Sequence, residues 1–221
     1  MKLHDDVSES KIKEVAEEFQ GEIYQKPPLR SSVKKALRTR SIYYIDVVEV
    51  DKRHVLLRVG CQAGTYIRKL VHDMGEVLGS GAHMRELRRT RVGPFSEDKG
   101  LTTLRDLVEA IEAYKAGDEK ILRSIVQPIE EATSLMPKIW IRDTAVDAIC
   151  HGADLALPGI VSLNSDIVVD DPVAIFTLKG ELVALGRALM GSEEMLEREK
   201  GVAVKTVRVI MKPNTYPRMW K

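Results

Sequence analysis

Cysteine, long apolar runs, net charge and phosphate-binding glycine motifs are all scarce or missing in this chain, and each shortage closes off a class of protein. Cys61 and Cys150 are the only cysteines among 221 residues and form no Cys-x-x-Cys pair, so neither a disulfide framework nor a zinc site is indicated. That usage fits a reducing compartment, and a cytoplasmic protein is the expectation. No apolar run approaches the roughly 20 residues that span a bilayer, and the acidic N-terminus is unlike a signal peptide, so no membrane partner is expected. No Gly-rich nucleotide loop or metal-ligand cluster appears, which argues against a metabolic enzyme with a basic phosphate site, and no metal is expected. The formal net charge is only +1, so bulk electrostatics names no partner.

What is present is unevenly placed. Hydrophobic residues make up 44%, enough to bury the cores of one large or two modest domains. Residues 26–91 carry 15 Lys and Arg against 6 Asp and Glu, whereas residues 1–25 carry 3 against 7 and residues 92–136 carry 5 against 9. A basic stretch between acidic flanks is the footprint of a polyanion-binding face. Within it, Gln25 to Arg40 holds the double proline Pro27-Pro28, which keeps the backbone extended. Six cations (Lys26, Arg30, Lys34, Lys35, Arg38 and Arg40) and no acid stand there, so a loop that tracks a phosphodiester backbone is expected.

The stretch Gly60-Cys61-Gln62-Ala63-Gly64-Thr65-Tyr66-Ile67-Arg68-Lys69 organises the rest. Val55, Leu57 and Val59 alternate as in a strand, and Ile67, Leu70, Val71, Met74, Val77 and Leu78 recur at helical spacing, so a strand feeds a glycine turn into a helix start. Arg68 then sits in the first turn, where the helix dipole prefers an acid. A guanidinium placed against that preference has an outside partner, either a phosphate or a buried carboxylate, both of which it grips bidentately. Tyr66 offers an aromatic face and a hydroxyl beside it.

In chain order, Ser8 or Ser10 caps a helix with Ile12, Val15 and Phe19 on one side. Residues 42–50 and 54–61 form an antiparallel hairpin. Residues 81–91 alternate as a strand carrying four arginines, among them Arg85, Arg88 and Arg89. His83 beside them is read as orienting backbone or binding phosphate rather than as a catalyst. Gly93-Pro94 closes that segment, and Thr103 with Asp106 opens a helix with Leu104, Leu107, Val108 and Ile111 inward. A further helix covers 118–126. Composition shifts at Met136-Pro137, the expected domain boundary. Beyond it five or six short strands in about 75 residues suggest a small, partly closed barrel.

Three stretches carry a resemblance when taken in this order: Pro27-Pro28-Leu29-Arg30-Ser31-Ser32-Val33-Lys34, Gly64-Thr65-Tyr66-Ile67-Arg68, and Gly81-Ala82-His83-Met84-Arg85-Glu86-Leu87-Arg88-Arg89-Thr90. The chain resembles the TruB/dyskerin family of RNA pseudouridine synthases, most closely its archaeal H/ACA guide-RNA branch. From Met136 onward, with His151-Gly152-Ala153-Asp154-Leu155 and Pro158-Gly159-Ile160, it resembles the RNA-binding module called PUA. The resemblance implies an α+β fold: residues 1–136 as the C-terminal portion of a catalytic domain with a mixed, mainly antiparallel sheet and helices, 137–212 as a β-barrel-like PUA domain, and 213–221 as a tail. It implies isomerisation of uridine in ribosomal or transfer RNA by an aspartate, without a cofactor, on a base flipped from its stack. Tyr66 then contacts the uracil, Arg68 pairs with the aspartate and Leu87 walls the pocket. RNA contacts fall to the basic residues already named, to His83, and to His151 and Gly152. Guide RNA, substrate RNA and the small proteins of the H/ACA particle are the implied partners.

One departure stands against these matches. The family's aspartate lies in a Gly-Thr-Leu-Asp-Pro-type loop upstream of the segment that Lys2-Leu3-His4-Asp5-Asp6-Val7 resembles, and no such loop occurs here. Asp73 lies five positions from Arg68 on another side of its helix, and Asp5 and Asp6 are no better placed. The expectation is a chain inactive alone: a gene fragment, a mis-called start, or half of a split enzyme completed by a separate N-terminal half. The alternative is a non-catalytic RNA-binding scaffold that uses its PUA domain.

Overall fold

A computed structural model describes residues 1–26 and 36–219. The basic positions Arg30, Lys34 and Lys35 lie outside the described residues, as does the Pro27-Pro28 pair. The class is α+β, as expected, and the chain divides into two units, Met1–Arg89 and Thr90–Lys221.

The first unit is built on a five-stranded sheet in the order β2-β3-β4-β1-β5. Its strands are β1 (Lys2–Leu3), β2 (Gly21–Gln25), β3 (Arg38–Asp51), β4 (His54–Cys61) and β5 (Ala82–His83). The expected hairpin is β3 and β4, closing at the Asp51↔His54 pair with Lys52 in the left-handed region at φ 52°. Helix α1 (Glu9–Glu18) starts after Ser8 and buries Ile12, Val15 and Ala16. Helix α2 (Ile67–Leu78) buries Leu70, Val71, Met74 and Leu78, which share a core with Leu3, Ile12, Ile42, Ile45 and Val55. Val77 is the misplaced member of the predicted stripe: it is exposed, because positions 70, 74 and 78 set the inward face and 77 falls to its side. Gly75 is required by packing, since a Cβ there would lie 2.2 Å from the backbone nitrogen of Ala82.

Two expectations for this region are corrected. The basic loop is shorter than the sequence suggests: β2 pairs with β3 from Gly21↔Ile42 to Gln25↔Arg38, so Arg38 and Arg40 stand in a strand. The strand expected over 81–91 is broken: β5 covers only Ala82 and His83, Met84 to Thr90 are irregular, and Arg91 opens a separate short strand. The reason is the length of its neighbour, for β1 offers only Lys2 and Leu3 to pair with His83 and Ala82.

In the second unit, β6 (Arg91–Val92) and β7 (Phe95–Ser96) make a small hairpin around Gly93 and Pro94. Helix α3 (Leu104–Lys115) opens with the expected capping box, in which Asp106 N–H donates to the Thr103 hydroxyl and Thr103 N–H to the Asp106 carboxylate. The expected inward face is wrong, however. Leu104 is 83% and Val108 58% exposed, and of α3 only Ala110 is buried; the helix packs beside α4 (Lys120–Ile125).

A six-stranded sheet follows in the order β10-β8-β11-β12-β13-β9, from β8 (Lys138–Ile141), β9 (Leu155–Ala156), β10 (Ile160–Leu163), β11 (Pro172–Thr177), β12 (Leu182–Ala188) and β13 (Val202–Val209). The β8–β11 pair is parallel and the other pairs antiparallel. Helix α5 (Asp143–Cys150) brings Val146 and Ile149 onto the core of Ile139, Ile141, Val173, Ile175 and Val183, and α6 (Ser192–Glu197) adds Met195. Strand β11 is buried on both faces, Ala174 and Phe176 forming a second cluster with Leu182, which explains its unbroken apolar run. Among the described residues no helix is long and apolar enough to cross a membrane.

Candidate functional site

The turn between β4 and α2 is held from both sides. Gln62 N–H donates to the Ser41 carbonyl at 2.8 Å and the Gln62 side chain accepts from Ser41 N–H at 3.2 Å, so the turn is pinned to β3. The Thr65 hydroxyl and N–H both donate to the Gln62 carbonyl, at 2.7 and 3.2 Å, which closes the loop on itself. Gly64, at φ 83°, lets the backbone reverse, and a Cβ there would lie 3.4 Å from both Nε and Nη2 of Arg40. The Arg40 guanidinium thus lies against the loop. Its Nη1 donates to the Thr39 carbonyl, and its Nε is buried with no hydrogen-bond partner among the described residues.

Tyr66 stands at the N-cap of α2 in an extended conformation, φ −91° and ψ 96°, with no side-chain cap bond. The buried side-chain amide of Gln25, 2% exposed, closes the gap: Tyr66 N–H donates to Gln25 Oε1 at 2.9 Å and Gln25 Nε2 donates to the Tyr66 carbonyl at 3.2 Å. Sequence reasoning alone does not find Gln25. Its one signal is a polar residue at the close of an alternating Glu22–Tyr24 stretch, too short to be read as a strand.

Arg68 is in the first turn of α2, as expected. Its side chain is exposed and makes no ion pair or hydrogen bond to another described residue. Asp73 is taken by Lys69, and Asp6 by Arg53, whose guanidinium holds the Asp6 carboxyl below the usual carboxylate range. Leu87 is 55% exposed on the irregular segment after β5.

His83 does not stand alone. Its Nδ1 lies 2.9 Å from Nε2 of His4, and Arg85 Nη1 lies 3.4 Å from Nε2 of His54. Lys2 is register partner to both His54 and His83, so the short strand β1 gathers these groups at one end of the sheet. Lys26 and Arg89 are exposed, whereas Arg38 is half-buried. In the second unit His151 follows α5 and its Nδ1–H donates to the Asp147 carbonyl at 2.8 Å. Gly152, at φ 90°, turns the chain away, with nothing within 4 Å of the position of a Cβ.

Comparison with known proteins gives this arrangement its relatives. The chain matches the family models for the Pus10 C-terminal region over residues 1–87, the tRNA pseudouridylate synthase B C-terminal domain over 68–134, and the PUA domain over 137–210. All of it aligns at 57% identity with the probable tRNA pseudouridine synthase B of Pyrococcus abyssi, and at 58% with that of Methanopyrus kandleri. The chain belongs to the TruB/dyskerin family of RNA pseudouridine synthases. It spans 66% of the Pyrococcus relative's length and 65% of the Methanopyrus relative's. Among solved members of the family, a Cbf5-Nop10-Gar1 complex matches at TM-score 0.92 and 56% identity, covering 98% of this chain and 66% of that one. An archaeal box H/ACA Nop10-Cbf5 complex matches at 0.88 and 52%, covering 99% of this chain and 67% of that one. The six-stranded sheet of the second unit lies within the stretch that matches the PUA domain.

Proposed function

We propose that this chain supplies the C-terminal part of an RNA-guided pseudouridine synthase, acting on ribosomal or transfer RNA, whose catalytic aspartate comes from sequence outside it. The observation that carries the reading is Arg68: a permanently charged guanidinium beside Tyr66, in a first helical turn that holds no acid, with no partner among the described residues. In the completed site Arg68 pairs with the aspartate, Tyr66 contacts the flipped uracil, and Leu87 walls the pocket. The reaction breaks the bond from C1′ to the uracil N1 and joins C1′ to C5; the proton on C5 is lost and N1 gains one. No redox partner is needed.

Substrate and guide strands are held by charge. Lys26, Arg30, Lys34, Lys35, Arg38 and Arg40 lie along the sequence that leads into and begins β3, and His83, Arg85, Arg88 and Arg89 close or follow β5. His151 and Gly152 serve the PUA module. One solved relative is a complex with Nop10 and Gar1, a second a complex with Nop10, and a third an H/ACA particle bound to a substrate RNA, matching at TM-score 0.90. A guide RNA and small particle proteins are therefore the proposed partners here, and the chain alone is proposed to be inactive.

The test joins this chain to an upstream segment bearing the Leu-Asp-Pro loop and measures tritium release from 5-tritiated uridine in a guided RNA. Release that needs both halves supports the reading. No release from any guided target, with RNA binding intact, would leave a non-catalytic RNA-binding scaffold instead.

A further inference from the structure

Glutamine at position 25 is an unusual use of a buried position. It is among the largest fully buried side chains of the chain, and both polar ends of its amide go to one residue, Tyr66. The pair of bonds imitates an antiparallel backbone exchange, with a side chain in place of one strand. Leaving either end unpaired in this setting costs that group its full desolvation with nothing in return. The Tyr66 carbonyl uses its second lone pair for Leu70 N–H at 3.0 Å, the first hydrogen bond of α2. One amide therefore determines where the Tyr66 backbone lies and where the helix begins. Arg68 follows two residues later in that first turn, so its origin is set by the same contact.

Gln25 has a second connection. It is the last residue of β2, paired in register with Arg38, and Lys26 follows it directly. The root of the expected phosphate-tracking loop and the aromatic platform are thus joined through a single side chain.

We propose that Gln25 is a positioning residue for the isomerisation, orienting Tyr66 and the Arg68 turn without touching the substrate. This rests on the function proposed above. A carboxamide is required because Tyr66 presents one donor and one acceptor. Methionine fills the space but makes neither bond. Glutamate accepts from Tyr66 N–H, yet faces the Tyr66 carbonyl with a second oxygen unless it is protonated, and only the protonated acid reproduces both bonds.

The experiment uses the completed enzyme with guide and substrate RNA. For Gln25→Met the single-turnover rate falls on the order of tenfold to a hundredfold, as expected of a site loosened by a fraction of an ångström, while the substrate-RNA Kd stays within about twofold of the parent. The Tyr66 amide exchanges with solvent faster in that variant. For Gln25→Glu the rate recovers as pH is lowered from 8 to 6, a rise the parent does not show; if Gln25→Met does not fold, this profile decides the matter. A Gln25→Met enzyme as fast as the parent, a rate loss matched by an equal loss of RNA affinity, or a Gln25→Glu profile parallel to the parent's would overturn the assignment. An inactive parent would instead remove the functional reading on which it stands.

Discussion

Arg68 and Lys69 are neighbours with opposite situations, and the difference is geometric. Lys69 reaches Asp73 one turn along α2, whereas Arg68 points where no described acid lies. In the completed enzyme Arg68→Lys therefore loses turnover on the order of a hundredfold, near the 3 kcal/mol by which a broken desolvated ion pair is felt. RNA affinity, measured alongside by filter binding, stays within about twofold. A second residue-level expectation concerns the second unit. The hydroxyls of Tyr216 and Thr177 donate to the Glu181 carboxylate and hold its pKa below the ordinary glutamate range. A depressed carboxyl stabilises the fold above its unfolded pKa, and that contribution is lost as pH falls through the folded value. Thermal midpoints taken from pH 7 to pH 3 should fall with acid in the parent. Tyr216→Phe should begin lower at pH 7 and lose less on acidification.

Among the elements, α3 shows how a correct local signal can carry a wrong packing inference. Thr103 and Asp106 are close in sequence, so the capping box forms wherever the helix lies, and Thr103→Ala should cost about 1 kcal/mol of helix stability, read as faster exchange of the first-turn amides. Burial of Leu104 and Val108 depended on a neighbour, and among the described residues none covers them. Strand β5 fails for a similar reason. Alternation over residues 81–91 was real, but a strand extends only as far as its partner, and β1 ends at Leu3. By contrast α2 was legible nearly to the residue, because its stripe, its glycine stop at Gly79 and the strand before it are all local features.

For the molecule as a whole, charge distribution outweighs net charge. A chain of formal charge +1 carries a nine-cation excess over residues 26–91, and that excess is what a polyanion meets. Replacing Lys26, Lys34 and Lys35 together by glutamine should weaken binding to the guide–substrate RNA and reduce the salt dependence by about 0.7 for each phosphate no longer neutralised. Kd values measured across a range of salt check this, and an unchanged slope would show that the loop does not touch phosphate. The family relation covers the entire chain, while the chain spans about two thirds of its relatives' length.

Amino-acid order alone determined the family motifs, the β3–β4 hairpin, the α2 stripe, the cap of α3 and the short strands after Pro137. Each depends on spacing between residues near one another in sequence, which turn chemistry and periodicity settle locally. Only the folded chain decided that Gln25 meets Tyr66 across 41 residues, that Arg38 and Arg40 leave the basic loop for a strand, and that Leu104 and Val108 of α3 stay uncovered among the described residues. Those outcomes turn on which surfaces meet after long-range pairing, and a side chain's nearest distant neighbour is a property of the assembled sheet rather than of the residues beside it.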